Sequence, residues 1–125
     1  MRTVDDIRRY LAMSGAPHEE VGEGTWVIRL QPDDLQLILR FEPPVLVFRM
    51  FVMAKPSKNL EAFYAAMLRM NARDLVHGAF GLEGDQVVLT CTLQVENLDQ
   101  NEFQAAIDSF SLAIGQQHAE LAKFV

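Results

Sequence analysis

The segment NARDLVHGAFGLEGD, residues 71–85, gathers the residue types that acid–base and phosphate chemistry use. It carries Asn71, Arg73, Asp74, His77, Glu83 and Asp85, with glycines at 78, 81 and 84. A phosphate loop would need a closing Gly-Lys-Ser/Thr that opens a helix, and the segment has none. A calcium loop would need alternating aspartates before a glycine, and these are absent too. His77 with Cys91 suggests a nucleophile and its base. Alternation across a hairpin turning at Gly84-Asp85 argues otherwise: Cys91 falls on the core side, and His77 on the opposite side with Thr90 and Thr92. The three histidines, His18 in a loop, His77 at a strand start and His118 on the last helix, show no metal-ligand spacing. The carboxylate pairs Glu19-Glu20 and Asp33-Asp34 read as turn residues, not as an acid and a base facing a cavity. No enzymatic activity, metal or cofactor is expected. A small-molecule site would require a pocket lined by Arg73, Asp74 and His77.

The elements around this segment follow from periodicity. Residues 3–14 read as a helix with Thr3 at its N-cap, Asp6 completing a capping pair, and Val4, Ile7 and Leu11 on one face. Three strands follow, at 25–30, 36–41 and 45–53, joined by the polar turn QPDD and by Glu42-Pro43-Pro44. A second helix spans roughly 58–71. Leu60, Phe63, Met67 and Met70 form its stripe, and Tyr64, Leu68 and three alanines make it apolar on most sides. Such a helix is buried on more than one side, and in so small a protein the second cover can be another subunit. Residues 76–83 and 86–95 form a hairpin. The last helix opens at Asp99, with Glu102 three residues on and Leu98 and Phe103 as a hydrophobic staple. Gly115 interrupts its stripe. The order α-β-β-β-α-β-β-α predicts an α+β fold, a largely antiparallel five-stranded sheet with helices packed on it.

With 125 residues, half of them hydrophobic, the chain is expected to form one domain with a real core. A formal charge of −6 argues against direct contact with nucleic acid. One cysteine permits no internal disulfide, and no apolar run is long enough for a membrane span or resembles a signal peptide. A cytoplasmic protein with no membrane partner is the expectation.

Strand parity divides the sheet into two faces. Trp26, Ile28, Leu30, Leu37, Leu39, Phe41, Leu46, Phe48, Met50 and Val52 form a wholly apolar core face. The other face collects Val27, Arg29, Gln36, Ile38, Arg40, Val45, Val47, Arg49, Phe51 and Met53. Its three arginines, on apolar ground and without an acidic residue, make it the one concentration of positive charge. It reads either as a solvated face whose arginine stems cover hydrophobes or as a docking face for an extended, apolar and acidic protein segment. On the docking reading, Arg29, Ile38, Arg40, Val47, Arg49 and Phe51 hold the partner. In the opening segment, Asn71, Arg73 and Asp74 read as a helix exit. Gly78, Ala79 and Gly81 read as a strand face flat enough for close approach.

The element order, the small acidic chain and LEAFYAAMLRMNARDLVHGAFGLEGDQVVLTCTLQVENLD, residues 60–99, resemble a known group. A helix ending in Leu-x-x-Asn there runs into a glycine-rich strand, a Gly-Asp hairpin and a final helix. The chain resembles the secretion-chaperone fold: the Tir-chaperone type of type III secretion chaperones and the related YbjN-type proteins, a group of sensory transduction regulators. The resemblance implies a non-enzymatic homodimer that binds a protein client or regulatory partner. It assigns the second helix and last hairpin to the dimer contact, through Leu60, Phe63, Tyr64, Met67, His77, Ala79 and Gly81. A regulatory adaptor of the YbjN type, acting by protein contact, is the alternative implied role.

Overall fold

The computed structural model describes residues 2–31 and 34–125. Pro32 and Asp33, in the turn expected at 31–34, lie outside the described residues, as does Met1. The elements run α1 (Val4–Ser14), β1 (His18–Gly22), β2 (Thr25–Leu30), β3 (Leu35–Glu42), β4 (Val45–Ala54), α2 (Leu60–Arg73), β5 (Ala79–Glu83), β6 (Gln86–Gln94) and α3 (Gln100–Ala113). A wide π-helical turn, Ile114–His118, leads from α3 into the short α4 (Ala119–Ala122). The fold is α+β, as its sequence pattern predicts. Its sheet has six strands in the order β1-β2-β3-β4-β6-β5, every neighbouring pair antiparallel.

The sixth strand is β1, which the sequence reading placed in a loop. All five of its residues are exposed, so it has no buried alternation to reveal it. It is held by its ladder to β2 and by one side chain. The Glu20 carboxylate accepts from Arg8 Nε at 2.9 Å and Nη2 at 2.8 Å, and from Trp26 Nε1 at 2.9 Å. Arg8 lies on α1 and also pairs with Asp5. One carboxylate thus ties the edge strand both to a helix and to the core tryptophan beneath it.

Helices cover one face of the sheet. Trp26, Ile28, Leu37, Leu39, Leu46, Phe48 and Met50 are buried there against Ile7, Tyr10 and Leu11 of α1, Phe63, Met67 and Met70 of α2, and Phe103, Ile107 and Phe110 of α3. Phe48 lies at the centre, its ring 6.0 Å from Phe103 and 6.1 Å from Phe110. Burying one such aromatic contributes about 1.5–3 kcal/mol. The helix starts follow the capping rules. Asp6 N–H donates to Thr3 Oγ1 and Glu102 N–H to Asp99 Oδ1, each with the reciprocal bond present. Asn59 precedes α2 in a left-handed conformation and makes no side-chain cap. Leu98 is anchored twice, its carbonyl accepting from Tyr10 Oη at 2.6 Å and Arg2 Nε at 2.7 Å.

One position in β4 departs from parity. The β4–β6 register shifts between Phe51 and Met53, so Met53 stands opposite the core residue Val87 and packs against the core. A bulge adds one residue to a strand and turns those beyond it over. Gly115, which interrupts the stripe of the last helix, sits in the π turn with open space where a Cβ would stand, so no neighbouring helix packs closely against it.

The Glu20 latch predicts a pH signature. Arg8 holds the Glu20 carboxyl down from its ordinary 4.5 to about 2, with the Trp26 indole adding to the effect. A depressed folded-state pKa gives stability that is present above 4.5 and lost as pH falls toward about 2. Glu20→Gln should therefore melt below the wild type at neutral pH, with the gap closing across that acid range. Thermal melts of the two proteins in a series of buffers provide the check.

Candidate partner-binding face

The sheet face turned away from the helices carries six of the residues assigned to a partner. Cross-strand rows line them up: Val27 opposite Ile38, Ile38 opposite Arg49, Arg49 opposite Thr90, and Thr90 opposite Ala79. The next row runs Thr25, Arg40, Val47 and Thr92. Phe51, Val88 and Gly81 form a third. Arg29 and Arg40 are exposed, Val27, Ile38, Val47 and Arg49 half-buried, and Phe51 is 44 % exposed. The arrangement is a ribbed apolar floor with cationic heads above it.

The charge on this face is not all positive. β3 extends through Glu42, which pairs with Arg40 at 3.1 Å. Arg49 reaches Glu83 of β5 at 2.5 Å. Because β6 lies between β4 and β5, this second pair spans a strand. Arg49 also stands 5.7 Å above the Phe51 ring, a cation–π contact. Val88, between Phe51 and Gly81 in the row, is only 5 % exposed although it faces away from the helices. Arg29 has no ion-pair partner among the described residues. The expectation of a face without acidic residues is thus corrected. The sequence interval 36–41, which corresponds to β3, stopped one residue short of Glu42, and Glu83 arrives from a hairpin remote in sequence.

The opening segment is distributed among structural tasks. Arg73 and Asp74 end α2, with Asp74 N–H donating to Met70 O. His77 precedes β5 and lies in a bend, so strand alternation does not govern it. Its Nδ1 lies 3.0 Å from Ser109 Oγ on α3, the helix-covered side, and not beside Thr90 and Thr92 as parity implied. Cys91 packs half-buried against the core, and burial pushes its thiol above the ordinary range. A shallow hollow lies beside Asp74, lined also by Val76, Ser109, Leu112 and Gln116. Arg73 and His77 are not part of its lining, so this hollow does not bring the three residues together. Among the described residues, no group of three or more His, Cys, Asp or Glu is placed to hold a metal. Among the described residues, no helix is long and apolar enough to cross a membrane.

The residues assigned to a dimer contact also separate. Phe63 and Met67 are 0 % and 5 % exposed inside the chain's own core, beyond direct reach of a second copy. Leu60, Tyr64 and Gly81 are half-buried and Ala79 is exposed. The outward side of α2 is instead Ala62, Ala65, Ala66 and Arg69, with Phe124 beside them. Leu68 is 67 % exposed.

An open antiparallel sheet with its helices packed on one face defines a small two-layer α+β fold. The family model CesT_Tir_1 matches residues 1–125, and the chain belongs to that family of type III secretion chaperones. Solved structures agree on the fold. A chain of the heterodimeric ExoU–SpcU complex from the type III secretion system of Pseudomonas aeruginosa is similar with a TM-score of 0.70 at 18 % identity, over 92 % of this chain and 96 % of that one. YbjN from E. coli gives 0.69 at 14 % identity, over 95 % and 93 %. A chain of the complex between the Yersinia pestis type III secretion chaperone SycH and a stable fragment of YscM2 gives 0.64 at 17 % identity, over 95 % and 99 %. None of the curated proteins matches this sequence.

The join between α2 and β5 rests on Gly78, whose φ of +85° is in the left-handed region. A Cβ there would fall 2.6 Å from Thr90 O, a backbone atom of the neighbouring strand. Gly78→Ala should cost on the order of 1–3 kcal/mol, since it combines backbone strain with a clash that no rotamer relieves. Urea unfolding measures this loss directly.

Proposed function

We propose that the protein is a non-enzymatic, chaperone-like module that holds an extended segment of a client protein on the bare face of its sheet. The observation that carries this reading is the uncovered floor of Val27, Ile38, Val47 and Phe51 beneath Arg29, Arg40 and Arg49. Arginine and aromatic residues on apolar ground are what protein interfaces favour. Family membership and likeness to chaperones solved with protein partners support it. The client segment is apolar and acidic: its carboxylates meet Arg29 and compete with Glu42 and Glu83 for the other two arginines.

The protein works in the cytoplasm as a homodimer, each copy a single domain over residues 1–125. The second copy covers the outward side of α2, with Leu60, Tyr64 and Leu68 at the contact, whereas Ala79 and Gly81 lie on the opposite sheet face, outside that contact. The exposure of Leu68 beside a shallow alanine-lined surface favours this. A regulatory adaptor acting by protein contact is the second reading, favoured by the likeness to YbjN.

Charge reversal tests the face. Arg40→Glu with Arg49→Glu should abolish recovery of a client on the tagged protein expressed in its own cells, while the circular dichroism melt stays nearly unchanged. Undiminished recovery would remove this face from consideration. What the wild type recovers separates the two readings: a secreted protein supports chaperoning, and a signalling component supports the adaptor. Light scattering at tens of micromolar should give twice the chain mass, and Leu68→Glu should return it to that of one chain.

A further inference from the structure

An open sheet has two edges, and a strand edge is a row of unpaired backbone groups that invites another chain. The two edges of this sheet are managed differently. β1 carries Glu19 and Glu20, both exposed, and its register shifts between Glu20 and Gly22. Charge and a bulge make it a poor template. β5 has the sequence Ala-Phe-Gly-Leu-Glu, pairs regularly with β6 along all five residues, and offers small side chains at Ala79 and Gly81. By composition it is the edge that would accept another strand.

That edge is already occupied. Asn71, in the last turn of α2, donates from Nδ2 to Phe80 O at 3.1 Å and accepts on Oδ1 from Phe80 N–H at 2.7 Å. In an antiparallel ladder, one residue's N–H and C=O point to the same side. Both groups of Phe80 face Asn71, so they point away from β6. The carboxamide presents one donor and one acceptor on the same side. It thus makes the pair of bonds that a residue of a guest strand would make. An aspartate cannot supply the donor, and an alanine can supply neither bond.

We propose that Asn71 is a strand-edge guard: its carboxamide occupies the backbone position on β5 that a second copy of this chain would otherwise take. It prevents β5 from joining β5 of another molecule into a continuous sheet. Self-pairing is the contact to be prevented, because two antiparallel copies of one edge complement each other about a two-fold axis. The guard operates whether or not the protein also dimerises through α2 side chains.

The test opens the guard and then removes the edge. Asn71→Ala should give assemblies of at least twice the wild-type mass in sedimentation equilibrium at equal concentration. By alternation, Leu82 N–H also points to the open edge, so Leu82→Pro removes a donor there without breaking the β6 ladder. Asn71→Ala with Leu82→Pro should return to the wild-type mass. A folded Asn71→Ala protein of unchanged mass overturns the proposal, as does growth that Leu82→Pro does not reverse. Amide exchange in the unaltered protein decides the matter if Asn71→Ala does not fold. The Phe80 amide, bonded to Asn71, should exchange more slowly than the Leu82 amide on the same edge. Equal rates overturn the guard.

Discussion

Phe48 is the point on which the two layers depend. It is fully buried at the middle of β4, with Phe103 and Phe110 of α3 closing over it. A sheet of this width, apolar on one side, must be sealed by helices somewhere. The aromatic contact fixes which side α3 takes, and Tyr10 against Phe103 brings α1 to the same side. α2 follows through Phe63 and Met67. With every helix spent on one face, the other has only its own side chains for cover. The bare face follows from where the core was placed.

The core was readable from sequence because β2, β3 and β4 alternate cleanly, and tight connections keep their parities in step. The two capping boxes were readable because their residues lie within one turn of each other. What stayed hidden has a common cause. β1 is a strand by virtue of its neighbour's hydrogen bonds, and none of its side chains records that. Met53 changes sides through a bulge, which no residue type announces. His77 escapes alternation because β5 starts two residues after it. The acidic partners of Arg40 and Arg49 depend on where a strand ends and on strand order, since Glu83 comes within reach of Arg49 across the single strand β6. Local periodicity reports the side a residue faces, whereas ion pairs report what lies across the sheet.

Asn71 illustrates the same division. Its position in a Leu-x-x-Asn helix ending is visible in the sequence, and its reading as a helix exit is sound as far as it goes. Only the packing of α2 along β5 reveals that the side chain is engaged with backbone nine residues later in the chain. The segment that first resembled a catalytic loop thus consists of an edge closure, a helix end, a left-handed glycine and a hairpin turn. Its polar residues serve the ends and margins of elements, where backbone groups lack regular partners.

The Arg49–Glu83 pair has one further consequence. A carboxylate that approaches Arg49 finds the guanidinium already engaged, so its gain is the difference between two similar ion pairs and not the full strength of one. Such an exchange is nearly balanced, and Glu83 stands ready to retake its place when the visitor leaves. The internal pair therefore acts as a resident competitor. On the proposed docking role, it would weaken indiscriminate attraction of acidic chains, leave discrimination to the fit against Ile38, Val47 and Phe51, and favour a grip that is readily reversed.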